Sequence, residues 1–245
     1  MQNVLIIGAT SAIAQAVARQ LAERGVSLVL WARSAEKVEV VAGDLRARYQ
    51  AKVFTDAFDF VDFNRHAGAL DRAIAEAGNL DTAIVCHGSL GDQAASQADF
   101  SVADQELLTN CRSALSFLTV LANRFEQQGQ GTLAVISSVA GDRGRQSNYV
   151  YGTAKAALNT FAEGLRNRLS SKGVHVLTVK PGFVDTPMTA HIQKGPLFAR
   201  PERVARDIIR AIEKKQCVLY TPWFWRWIML IIRLIPEPIF RKMKL

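Results

Sequence analysis

Cysteine is scarce in this chain. Cys86, Cys111 and Cys217 are an odd number, far apart, with no C-x-x-C pair and no histidine at metal-ligand spacing. That pattern argues against a disulfide framework and a structural zinc, and no metal site is expected. No uninterrupted apolar run reaches the roughly 18 residues of a membrane-spanning helix. The N-terminus lacks the basic segment and long apolar stretch of a secretory signal, so a cytoplasmic placement is the expectation. Seven prolines and 16 glycines among 245 residues, without repeats, exclude collagen-like and low-complexity chains. Acidic residues are also in the minority, 22 against 30 lysines and arginines, for a net charge of +8. Such an excess suits nucleic acid, an anionic cofactor or an anionic membrane surface. No aromatic-interleaved basic stripe or groove-reading motif accompanies it, so nucleic acid ranks last.

What the chain does contain is a series of short apolar runs rich in Val, Ile and Leu, at 4–7, 27–31, 52–58, 82–86, 132–137 and 175–179. Between them, 12–24, 34–50, 63–77, 101–127, 150–172 and 201–215 carry helical spacing, with Ala and Leu on one face and Arg, Gln and Glu on the other. Near-continuous apolar strands alternating with helices imply a parallel sheet covered on both faces. Pro201, Glu202 and Lys214-Lys215 fit a helix with proline first, acid early and base late, and a seventh strand is expected at 216–220. The fold expected is therefore α/β, a doubly wound, mostly parallel seven-stranded sheet of the Rossmann type, with ligands at the carboxyl ends of its strands. Residues 1–220 would form this catalytic domain, and 221–245 an apolar and basic tail.

Several short segments carry chemistry. The first strand runs through Gly8, Ala9, Thr10, Ser11, Ala12, Ile13 and Ala14 into a helix. Small residues there let backbone N–H groups approach a pyrophosphate at the helix N-terminus; a tight turn with small packing residues reads equally well. At the end of the second strand stands Arg33, where dinucleotide folds that prefer NAD place an acid. Its guanidinium would bond a 2′-phosphate and favour NADPH/NADP+ over NADH/NAD+; a solvated arginine is the alternative. Asp59, with Phe60 after it, would bond an adenine edge or cap a turn. Ser138 ends the fifth strand, and Tyr151 and Lys155 follow at a four-residue spacing that puts both on one helix face. The ammonium is expected to lower the phenol's pKa from about 10. Ser138 would bond a substrate carbonyl while Tyr151 gives it a proton as hydride arrives on carbon.

Taken in order, the glycine turn, Arg33, Asp59, Asn110, Ser138, Tyr151, Lys155 and Pro181-Gly182 resemble the short-chain dehydrogenase/reductase family over residues 2–220, with the serine thirteen residues before the tyrosine. The resemblance implies an NAD(P)H-dependent oxidoreductase acting on CH–OH or C=O groups. It also implies that Asn110 bends a helix and holds a water in a proton relay, that Lys155 holds the nicotinamide ribose, and that Pro181, Gly182, Val184 and Thr186 meet the carboxamide. Two departures stand out. Ala12 and Ala14 replace the second and third glycines of the usual turn, and Cys86-His87-Gly88 replaces Asn-Ala-Gly, with His87 read as a packing histidine. The segments 88–92, 137–148, 188–191 and 235–242 resemble, within the family, reductases of polyprenylphosphoryl keto-sugars in cell-wall biosynthesis. That points to Arg143, Arg145, Asn148 and His191 as substrate contacts. Reduction of a 3-ketoacyl thioester or small carbonyl is the alternative reaction, and a non-catalytic dinucleotide sensor the alternative of another class. Family resemblance also implies a homo-oligomer, a dimer or tetramer formed through the helices at 101–127 and 150–172.

Residues 223–235 are apolar apart from Arg226 and Arg233, and a helix of this length spans about 20 Å, too short to cross a bilayer. An amphipathic helix lying in the membrane interface is one reading, which would make the protein peripheral on the inner face of the membrane. A docking helix or subunit contact is the other.

Overall fold

The computed structural model describes residues 1–190 and 192–243. Seven strands, β1 (Asn3–Ile7), β2 (Ser27–Ala32), β3 (Val53–Ala57), β4 (Thr82–Val85), β5 (Gly131–Ile136), β6 (Val174–Pro181) and β7 (Val218–Thr221), form one sheet in the order β3-β2-β1-β4-β5-β6-β7. Every neighbouring pair is parallel. All seven lie where the apolar runs place them, because strands buried on both faces need a near-continuous apolar sequence.

The period-two alternation of β1 divides the core. Val4 and Ile6 point to one face of the sheet, into a cluster with α1 (Ala12–Ala22), α2 (Ala35–Tyr49) and the later α8. Leu5 and Ile7 point to the other, with Phe117, Leu121 and Phe125 of α6 and Leu158 and Leu165 of α7. On this second side lie α3 (Arg65–Ala77), α6 (Ser113–Gln128) and α7 (Tyr149–Leu169), with α4 (Gln93–Ala98) and α5 (Phe100–Leu107) in the long β4–β5 connection. Helix α8 (Pro201–Glu213) begins with its proline and Glu202 and carries Arg210 in its last turn, in keeping with its dipole.

The expected helix at 101–127 is interrupted. Leu108–Arg112 form a π-turn between α5 and α6, and Asn110 sits in it, wholly buried. Such bulges turn side chains out of helical register, and periodicity does not reveal them. The tail folds as α9 (Trp225–Leu234) and α10 (Glu237–Phe240). Trp225 and Met229 are buried with Val139, and Phe183 and Tyr220 pack beside them, so the tail sits on the catalytic unit rather than extending from it.

Candidate active site

Strand order reverses between β1 and β4, which is where open α/β sheets form their ligand crevice. The segments after β1 to β6 open there into one cavity of about 1530 Å³. Gly8 is held at φ +87, and a Cβ on it would lie 2.6 Å from the His87 backbone nitrogen, so only glycine lets the β1 and β4 loops come this close. Ser11 caps α1 by accepting from the Ala14 N–H at 3.2 Å. The N–H groups of Ala12 and Ile13, in the helix's first turn, have no intrahelical partner and suit a phosphate. Thr10 lines the same corner, while Ala14 is buried in the core. Arg33 is exposed at the cavity's far end with Lys37 of α2 beside it. Asp59 accepts from the Val61 N–H at 3.2 Å, closing a turn at the wall it shares with Phe60. This corner fits a dinucleotide: a cradle that a Cβ would fill, a free helix start and two cations.

Ser138 follows β5, Tyr151 and Lys155 stand on the first two turns of α7, and all three line the cavity with Asn110, Gly88, Pro181, Gly182, Val184 and Thr186. Asn110 accepts from the Ser89 N–H at 2.9 Å, which ties the π-turn to the β4 loop. Gly88 lies so close that a Cβ there would meet the Asn110 Oδ1 at 2.5 Å. Lys155 donates from Nζ to the Ile136 carbonyl at 3.0 Å and lies 5.6 Å from the Tyr151 ring centroid.

The expectation that Lys155 lowers the phenol's pKa does not hold in this arrangement. Burial pushes Tyr151 up to about 12, and a hydrogen bond with Ser138 opposes the shift without cancelling it. Burial also draws Lys155 down to about 8. The cause is geometric: the ammonium is engaged with a backbone carbonyl, and desolvation of the phenol dominates. His87 reads as a packing side chain. Its Nε2 lies 2.6 Å from the Ser113 hydroxyl, its ring meets Phe60 and Phe117 edge-on, and burial holds it neutral with a pKa of about 3.

Sequence reading missed several side chains that build the site. Glu106, buried below Asn110, accepts from the Asn110 amide and, at 2.9 Å, from the Ser89 hydroxyl, and burial raises its pKa. Asp142 receives Lys180 Nζ and the Tyr220 hydroxyl, each at 2.7 Å, and so fastens the 3-10 turn Val139–Asp142, directly after Ser138, to β6 and β7. Trp225, Ile228 and Ile232 of α9 line the cavity, so the tail belongs to the site. Asp142 and Trp225 act through partners distant in sequence, and Glu106, although only four residues before Asn110, reaches Ser89 seventeen residues upstream only in the fold.

On the substrate side, Arg145 and Asn148 line the cavity. Burial lowers the Arg145 pKa, and its Nε is buried without a partner among the described residues. Arg143 is corrected: it lies outside the cavity lining. Its guanidinium donates to the Ile232 carbonyl at 2.5 Å and the Ile235 carbonyl at 2.7 Å, bonds Glu237 at 3.0 Å and stacks on Phe240 at 3.6 Å. It is a clamp on the end of α9, in a place where helical carbonyls lack partners. His191 lies outside the described residues. Val184 and Ala199 are joined by a parallel bridge.

Comparison with known proteins agrees with this geometry. The family model described as short chain dehydrogenase matches residues 2–196. An uncharacterized oxidoreductase of Mycobacterium tuberculosis is 40% identical over 98% of this chain and 96% of its own length. One of Streptomyces coelicolor is 36% identical over 99% and 96%. Among solved structures, a short-chain dehydrogenase from Sphingobium yanoikuyae in complex with NADPH superposes with a TM-score of 0.82 at 24% identity, covering 97% of both chains. A levodione reductase gives 0.82 at 19% identity, covering 90% of this chain and 95% of its own.

Proposed function

The chain belongs to the short-chain dehydrogenase/reductase family and is an NAD(P)-dependent oxidoreductase, and we propose that it is an NADPH-dependent reductase of a polyprenylphosphoryl keto-sugar. The observation that carries the proposal is the desolvated Arg145 guanidinium, with its unpartnered Nε, in the wall that also holds Ser138 and Tyr151. Arg145 is half-buried, and its buried Nε–H has no acceptor among the described residues; an orphaned buried donor is costly, and a phosphoryl group supplies the acceptor in the geometry a guanidinium fits best. Decaprenylphosphoryl-2-keto-erythro-pentofuranose is the substrate that the local sequence resemblance favours.

The dinucleotide, when bound, supplies the hydride. Arg33 and Lys37 would hold a 2′-phosphate, and the start of α1 the pyrophosphate. Ser138 would orient the substrate carbonyl with its hydroxyl. Tyr151, protonated at neutral pH, would pass its proton to the carbonyl oxygen, because the alkoxide that forms is a far stronger base than a phenolate of pKa about 12. Lys155 would return a proton toward the phenolate, with Asn110 behind it in the relay. The NADPH-bound Sphingobium structure supports the cofactor assignment.

Two measurements test the reading. Fluorescence titration should show NADPH binding at least tenfold tighter than NADH, with the difference abolished in Arg33→Ala. Turnover should favour the phosphoryl-bearing keto-sugar over its dephosphorylated form at least tenfold, with the preference lost in Arg145→Gln. Equal turnover of the two substrates by the unaltered protein sinks the phosphoryl assignment.

A further inference from the structure

The tail helix α9 is apolar on two opposite sides. Trp225, Ile228, Met229 and Ile232 face inward over the cavity and the Val139 turn. Trp227, Leu230, Ile231 and Leu234, spaced at 0, 3, 4 and 7, share the other side, and Trp223 lies in the turn just before the helix. They are exposed, Trp223 by 66%, Ile231 by 65% and Leu234 by 72%, and Ile239 of α10 is exposed as well. No element covers this face among the described residues.

We propose that this outer face docks in the plane of an anionic lipid bilayer. The charges around it decide the occupant. Residues 222–243 hold Arg226, Arg233, Arg241 and Lys242 and a single acid, Glu237, which is bonded to Arg143. An apolar strip carrying tryptophan beside basic side chains that form no ion pair among the described residues matches the headgroup boundary of a negatively charged leaflet. A second copy of this chain matches poorly, because a two-fold contact through the same face would bring those four cations together. Helix α9 spans only about 15 Å, and no helix of the described residues is long and apolar enough to cross a membrane, so the contact lies in the interface. Met188 and Leu197 are exposed and also line the cavity, which puts apolar side chains at its rim. Docking through α9 would therefore hold the roof of the cavity against the lipid. The docking stands on the tail alone and does not require the substrate to be lipid-linked.

Flotation of the full chain with phosphatidylglycerol vesicles, against phosphatidylcholine vesicles and without any substrate, tests the proposal. The chain should float with the first and stay behind with the second. The double variant Trp227→Glu, Ile231→Glu should partition at least tenfold less. Replacing Arg226, Arg233 and Lys242 by glutamine should lower binding roughly fivefold per charge and reduce its salt sensitivity. NADPH binding should stay within twofold in every variant, which shows that the inner face and the fold are intact. A full chain that stays behind with anionic vesicles overturns the proposal. So does a glutamate variant that floats undiminished, or one whose oligomer falls apart on size-exclusion chromatography with light scattering, which would assign the face to a second copy.

Discussion

The indole of Trp225 occupies the space that a side chain at Gly182 would need: a Cβ built on Gly182 falls on the indole Nε1. Gly182 follows the proline that ends β6 and lines the cavity, and Trp225 opens α9. One missing methyl group therefore lets the tail seal the cavity. Gly182→Ala is expected to push the indole out and lift α9, lowering kcat/KM at least tenfold while the sheet stays folded. A red shift of tryptophan emission together with unchanged far-ultraviolet circular dichroism would show this. Pairing it with Trp225→Ala should give strongly non-additive losses, since the two residues share one space.

Arg143 holds the same helix from its other end. Arg143→Ala removes charge-assisted donors to the Ile232 and Ile235 carbonyls and the stack on Phe240, a local loss of about 2 kcal/mol. Hydrogen exchange should speed up across 225–240, with little change in the midpoint of global unfolding. Lysine should not rescue the effect, because it has no second nitrogen to reach Glu237 while the first serves the carbonyls, and no planar face to lie on Phe240.

The buried Lys180–Asp142 pair, with Tyr220 on the same carboxylate, anchors the turn behind Ser138. Asp142→Asn leaves the Lys180 ammonium buried and unneutralised, and is expected to cost about 3–5 kcal/mol in urea unfolding. Replacing both residues at once, Lys180→Met with Asp142→Leu, should cost less than the single change.

Reduction should weaken with alkali. Burial lowers the Lys155 pKa to about 8, so its charged form is lost as pH rises through that value, whereas Tyr151, at about 12, keeps its proton throughout. The value of kcat/KM for ketone reduction, which reports the free enzyme, is therefore expected to be level on the neutral side and to fall up to tenfold per unit above about pH 8. Lys155→Arg, always charged, should slow the reaction and abolish that alkaline limb.

The order of strands and helices was legible in the sequence because burial on both sheet faces imposes continuous apolar runs, and because Pro201 and Glu202 mark a helix start by local chemistry. Gly8, Ser138, Tyr151 and Lys155 were legible for a related reason. A glycine turn into a helix and a Tyr–Lys pair on one helix face are short-range patterns, and the sheet then carries them to one crevice. Arg143 was misplaced because nothing beside it in sequence tells whether a guanidinium meets a ligand or the carbonyls at the end of a helix some ninety residues away.

Tertiary structure alone decided the rest. The Tyr151 pKa follows from desolvation by the cavity walls and from Lys155 being drawn to Ile136, neither of which the spacing contains. Glu106, Asp142 and Trp225 act through partners brought together only by folding. The tail's sequence determines that it forms a short apolar helix with basic residues. Which of its sides is buried was settled by the gap at Gly182 and the clamp at Arg143, because a helix that is apolar on two sides carries no internal instruction about which one to dock.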